Sequence, residues 1–260
     1  MLDFKRTLVM ADLHSGHEIG LTHPGYDPDK PPKKRPECWY MRRTVWDWFT
    51  KTVDLLKPID ILIINGDAID GRGPKSGSME LIYLDRQDQV DMAVAAINYV
   101  QAKTIVMSYG TAYHTGQLED WENQIAKDVG ALKIGSEDNL DVNGTIINYR
   151  HHLGRSSIPH GRHTSIAKEH LWNQLWAERD EYPLANFIIR SHVHYHAYAG
   201  GFGWVGITTP ALQGYGTRLG ARRMSGTVDI GLTVIDIDAD GRGSWRCPKL
   251  RLPMHKVLSL

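Results

Sequence analysis

Three short apolar runs of this chain each end in groups that no core holds unaided. TLVMADLH (7–14) runs into Asp12 and His14, and IDILIINGDAIDG (59–71) into Asn65-Gly66-Asp67 with Asp70 close behind. TIVMSYG (104–110) leads to Gly110-Thr111-Ala112-Tyr113-His114. Between the runs stand stretches of helical character at 38–57 and 79–102, and another follows around 118–130. Short apolar runs of this kind read as buried strands, and their alternation with helices is the pattern of a parallel sheet with helical crossovers. In such sheets ligands bind beyond the carboxyl ends of the strands. The alternation therefore constrains the fold and the place of its chemistry together.

The second half changes character. NLDVNGTIINYRHH (139–152) carries Asn143-Gly144 between two alternating runs, a strong hairpin signal. A helix is expected near 164–179, then the strand NFIIRSHVH (186–194). GFGWVGITTP and TVDIGLTVIDIDADGRGSWRCPKL (227–250) read as further strands, with Asp240-Gly241 as a turn. Mainly antiparallel strands are thus expected here, and one domain over residues 1–260. Residues 22–37 hold five prolines and read as a long surface loop, either a lid or a decoration. Trp39, Trp46 and Phe49 in the helix that follows read as core, and Pro58 marks its end.

The composition excludes some classes. Lys plus Arg and Asp plus Glu both number 30, so a general polyanion binder is not expected, although local basic patches are compatible. The two cysteines are far apart and form no metal or redox motif, which fits a reducing compartment. No apolar run approaches the roughly 20 residues of a membrane span, and the N-terminal stretch has no signal-peptide pattern. A cytoplasmic protein with no membrane partner is the expectation.

SHVHYH (191–196) places histidines at every second position. On an extended strand, His192 and His194 share one face and approach the same point. With Asp12, His14, Asp67, His114 and the pair His151-His152, five strand ends would deliver aspartates and histidines to one side of the sheet. Buried groups of these types in such number need pairing, and a metal supplies it. A set mixing imidazole and carboxylate suits Mn, Zn, Fe, Ni or Co, and Mn is the first expectation. Two such ions can clamp a phosphate and activate water for in-line attack. Asp67 is the best bridging group, because Gly66 lets the backbone come close.

In this order, DLH (12–14), GDAID (66–70), GTAYH (110–114), HH (151–152) and SHVH (191–194) resemble the motifs of the calcineurin-like metallophosphoesterase superfamily. The match spans residues 7–196. The resemblance implies a four-layer α/β/β/α sandwich of two mixed β-sheets packed face to face and flanked by helices, with a dinuclear centre. It implies that Asp12, His14 and His194 hold one metal, that His151 and His192 hold the other, and that Asp67 bridges; His152 is the alternative to His151. The third motif departs from the family, which has Asn as a ligand followed directly by a catalytic His. Here Thr111 follows the glycine and His114 comes three residues later. Either His114 is the general acid, with Thr111 or water at the ligand position, or it is itself a ligand. Several segments also look like a compact group of phage and prophage phosphoesterases, so a phage-encoded protein in a host cytoplasm is compatible.

Cations near the motif loops are candidates for phosphate, above all Arg155, Arg218 and Arg222, because the arginine fork matches phosphate oxygens. The leading expectation is a phosphodiesterase of DNA, RNA or nucleotides. A phosphomonoesterase of a phosphoprotein or small metabolite is the alternative, and a non-catalytic metal-binding protein that keeps the fold is the second.

Overall fold

The structure is a computed structural model that describes residues 4–73, 77–115, 120–156, 158–215 and 227–251. In its first half, β1 (Phe4–Met10), β2 (Ile61–Asn65), β3 (Thr104–Ser108) and β4 (Lys133–Gly135) alternate with α1 (Pro36–Leu56), α2 (Arg86–Val100), the short α3 (Ala112–Thr115) and α4 (Trp121–Asp128). In the second half, β5 (Asp138–Val142) and β6 (Thr145–Arg150) precede α5 (Gly161–Ala177). There follow β7 (Phe187–Arg190), β8 (Ala197–Gly201), β9 (Trp204–Thr208), β10 (Ile230–Gly231), β11 (Thr233–Asp238), β12 (Gly243–Arg246) and β13 (Lys249–Leu250).

The first sheet has the order β12-β11-β1-β2-β3-β4, the second β5-β6-β7-β9-β8, and β10 pairs with β13. β1 to β4 run parallel, and β11 and β12 extend the sheet antiparallel. The second sheet is also mixed: β6-β7 and β7-β9 are parallel, whereas β5-β6 and β8-β9 are hairpins. The expected antiparallel character therefore holds at its edges and not at its centre, where α5 makes the crossover that parallel strands need.

The layers follow from residue alternation. In β1, β2 and β3, Leu8, Met10, Leu62, Ile64 and Met107 point to a core shared with α1, α2 and α4. Their neighbours Val9, Ile63 and Val106 point the other way, against Ile147, Tyr149, Phe187, Ile189 and Ile207 of the second sheet. The far face of that sheet, with Ile188, packs on Ile166 of α5. Strands buried on both faces need apolar residues at every position, which explains the unbroken runs. The result is two mixed sheets face to face with helices outside, the expected four layers.

Three elements differ from the expected boundaries. α2 begins at Arg86, because the Asp85 carboxylate accepts the Gln87 N–H at 2.7 Å and caps the helix there. The residues before it bond to the loop after β1, with Glu18 N–H on Glu80 O at 2.7 Å and Ile82 N–H on Gly16 O at 2.8 Å. The helix expected around 118–130 is described over Trp121–Asp128. Most consequentially, β7 ends at Arg190, and residues 191–196 are not a strand. The hairpin turn is as read, with φ of 53° at Asn143 and 82° at Gly144. The 22–37 loop is anchored: buried Asp27 accepts from Arg42 at 2.6 Å, and Arg35 pairs with Glu18.

Candidate metal centre

The segments that leave β1, β2, β3, β6 and β7 meet at one end of the sheets. Asp12 N–H donates to Gly66 O at 3.1 Å and His14 N–H to Asp67 O at 3.0 Å. Thr111 N–H donates to Asp67 Oδ1 at 2.7 Å, and His192 N–H to Asp12 Oδ2 at 3.2 Å. Five residues here turn their side chains inward on left-handed backbone: Asp12, His14, Asp67, His192 and His194, with φ of 52°, 46°, 49°, 72° and 54°. They are half of the ten non-glycine residues with positive φ among the described residues. Each such conformation costs about 1–2 kcal/mol and persists only where the surroundings impose it. His192 and His194 thus reach two adjoining ligand sets through two backbone kinks, not one point from a shared strand face as the alternation in SHVH suggests.

The inward groups interlock as three sets whose ligand atoms lie within 4.8 Å of one another: Asp12, His14 and His194; His14, Asp67 and His114; and Asp67, His151 and His192. His151 Nδ1 donates to the Asn65 carbonyl at 2.7 Å, and Nε2–H donates to Asp67 Oδ2 at 3.0 Å, so that Nε2 is the atom left for a cation once that proton is lost. His14 Nδ1 is likewise held by Asp70 Oδ1 at 2.9 Å, and its Nε2 stands 3.3 Å from His194 Nε2. His114 Nδ1 donates to Asp70 O at 2.8 Å. Asp12 Oδ1 is buried without a hydrogen bond, 3.2 Å from His194 Nε2 and 4.0 Å from the Nε2 atoms of His14 and His151. An unbonded carboxylate oxygen beside converging imidazole nitrogens is a donor set that fits a cation.

Burial and mutual pairing set the charges of these groups. Burial works against the charged form of His151, but Asp67, with Asp12 behind it, outweighs this and raises its pKa to about 10. Burial also works against ionised Asp67, and His151 reverses the balance and holds it well below the usual carboxylate range. Burial above all, with His14 and His114 adding, takes His17, on the wall of the overlying cavity, down to about 4 against the opposing pull of Asp70 and Glu80.

The residues read from the sequence divide cleanly. Asp12, His14, Asp67, His114, His151, His192 and His194 converge. His152 is exposed and rests against the His192 ring, with centroids 5.0 Å apart. His196 bonds to Thr208 O away from the centre. Arg155 is exposed and does not line the cavity over the centre, and Arg218 and Arg222 lie outside the described residues. Glu122 had no part in the sequence reading. It is fully buried, and its two oxygens accept Ala68 N–H at 3.1 Å and Gly110 N–H at 2.6 Å, tying the loops after β2 and β3 together. Burial, with Asp67 adding, raises its pKa to about 8. The available signal was its place on the same helix face as Ile125 and Ala126.

No protein-family model and no curated protein matches the chain. Among solved structures, the chain is similar to an archaeal phosphodiesterase at 11% identity and a TM-score of 0.47, over 94% of this chain and 99% of that one. It is similar to zinc-complexed Vps29 from Entamoeba histolytica at 12% and 0.41, over 94% and 98%. It is also similar to a predicted phosphoesterase from Streptococcus pneumoniae at 11% and 0.39, over 95% and 100%. Identities and scores this low leave the chemistry to be read from the residues themselves.

Proposed function

We propose that the chain is a dinuclear metal-dependent phosphoesterase of the calcineurin-like superfamily, folded as one domain and hydrolysing phosphodiester bonds of nucleic acid or nucleotides. The observation that carries this reading is the set of three interlocking Asp/His groups, assembled from the five motifs in the family order. Asp12, His14 and His194 would hold one divalent ion and His151 and His192 the other, with Asp67 within reach of both sets, and Mn²⁺ is the first candidate. When bound, the ions supply Lewis acidity and lower the pKa of water.

The chain's own groups do the rest. Asp70 and the Asn65 carbonyl fix the tautomers of His14 and His151, so that Nε2 of each is the ligand atom. Thr111 holds the Asp67 carboxylate through both N–H and Oγ1, at 2.7 and 3.1 Å, and so occupies the place of the family's Asn as a positioning group. The Asp70 carbonyl holds His114 by Nδ1, which leaves Nε2 to carry a transferable proton to the departing alkoxide. The cavity over the centre, about 180 Å³, suits a phosphate and its nearest substituents.

The test is metal content and hydrolysis of bis-p-nitrophenyl phosphate, p-nitrophenyl phosphate, cyclic nucleotides and single- and double-stranded DNA and RNA with Mn²⁺. Two ions per chain and diester cleavage are expected, and both should be lost in Asp67→Asn. Cleavage of monoesters alone would replace the reading with a phosphomonoesterase. Two bound ions with no hydrolysis of any substrate would make the chain a non-catalytic metal binder.

A further inference from the structure

The outer face of the second sheet carries a cleft of about 620 Å³ that the metal centre does not use, a size within the usual range for ligand sites. The indoles of Trp172 and Trp176, on the outward side of α5, and the Tyr182 ring form its walls. They are 54%, 42% and 37% exposed, large aromatic areas left in water. The floor is a half-buried ionic network. Arg150 bonds Glu137 at 2.9 Å and Glu169 at 2.6 Å, and Arg190, 3% exposed at its side chain, bonds Glu169 at 2.8 Å and Asn148 at 2.7 Å.

Two guanidinium groups and two carboxylates make that floor neutral, so a phosphate is not its natural ligand. Its spare bonding capacity has a definite pattern. Both arginines bond Oε2 of Glu169, and Oε1 accepts no hydrogen bond among the described residues. Arg150 uses its two terminal nitrogens, which leaves its Nε–H. A spare acceptor and a spare donor on one floor, under aromatic walls, match a planar heterocycle whose edge carries both kinds of group. Nucleobases are of this kind: they stack on indoles and pair by their edges with Arg and carboxylate side chains. The position fits as well. Arg150 immediately precedes His151, and Arg190 precedes Ser191 and His192, so cleft and centre lie back to back across the ends of β6 and β7.

We propose that this cleft holds a base of a single-stranded nucleic acid, a purine best, flat against Trp172 and Trp176 with its edge on Arg150 and Glu169. Its link to catalysis rests on the phosphoesterase reading, whereas the binding does not.

The experiment is a tryptophan-fluorescence titration of the chain in EDTA with a short oligodeoxyadenylate and with an abasic strand of equal length. The adenylate strand should quench and the abasic strand should not. Trp172→Ala and Trp176→Ala, both at exposed positions, should bind about tenfold more weakly or worse. With Mn²⁺, Trp172→Ala should keep the wild-type rate on bis-p-nitrophenyl phosphate and show a raised KM on the oligonucleotide. Equal affinity for the two strands, or unchanged affinity in both variants, would overturn the proposal. So would a wild-type dimer that Trp172→Ala dissolves without any effect on quenching, since a second copy would then own the face. Base-dependent quenching in a chain that never cleaves bis-p-nitrophenyl phosphate would support the cleft and overturn the phosphoesterase reading alone.

Discussion

At the scale of single residues, the centre depends on where backbone is allowed to go. Gly66 has a φ of 76°, and a Cβ there would lie 2.5 Å from the His151 ring. Gly66→Ala combines a left-handed penalty of about 1–2 kcal/mol with displacement of a ligand. We expect lower stability by denaturant titration and loss of metal; a variant that kept full metal content would refute the close approach. His114 offers a sharper split. A departing alkoxide needs a proton and p-nitrophenolate hardly does, so His114→Ala should keep both metals and largely spare p-nitrophenyl esters. Nucleotide linkages should lose roughly 10²–10⁴-fold. Depleted metal with equal losses on all substrates would place His114 among the ligands instead.

At the scale of elements, period-two alternation sets both cores. Ile189 of β7 is fully buried between the sheets, and Ile189→Ala should cost about 2–5 kcal/mol, read from the shift of the urea midpoint. A smaller loss would mean that the sheets close over the cavity. Burial on both faces made β1, β2 and β3 legible as continuous apolar runs, whereas the β5-β6 hairpin was legible from Asn143-Gly144 between two alternating runs. The convergence of Asp12, His14, Asp67, His114, His151, His192 and His194 was legible too, since motif order placed each at a strand end. The backbone course of 191–196 was not. Two left-handed histidines imitate a strand's alternation, and only bonds to distant loops show that the ladder has stopped at Arg190. The start of α2 was hidden for a related reason: MELIYL before Asp85 is apolar enough to be helical, but its backbone bonds to the β1 loop. Glu122 acts through two backbone amides, and no motif records those.

At the scale of the molecule, proton and metal compete for one buried group. His151 is raised from about 6.5 in the unfolded chain to about 10 in the metal-free fold, so its contribution to stability is complete below about pH 6.5 and is lost as pH rises through about 10. Metal binding requires the neutral ring, so affinity rises with pH over the same window. The Tm gap between Mn²⁺-loaded and EDTA-treated protein should widen from about pH 6 to about 8.5, and a gap that narrows would contradict the His151–Asp67 pairing. The pairing of β1 with β11, which joins Phe4 to Asp238, bears on how the protein is made. One edge of β1 waits for a partner that leaves the ribosome roughly 220 residues later, about 10–45 s at ordinary rates of translation. Through that interval Leu8, Val9 and Met10 belong to a nascent chain whose first sheet cannot close. Synthesis, and the chaperones that attend it, must carry an open apolar edge until β11 emerges.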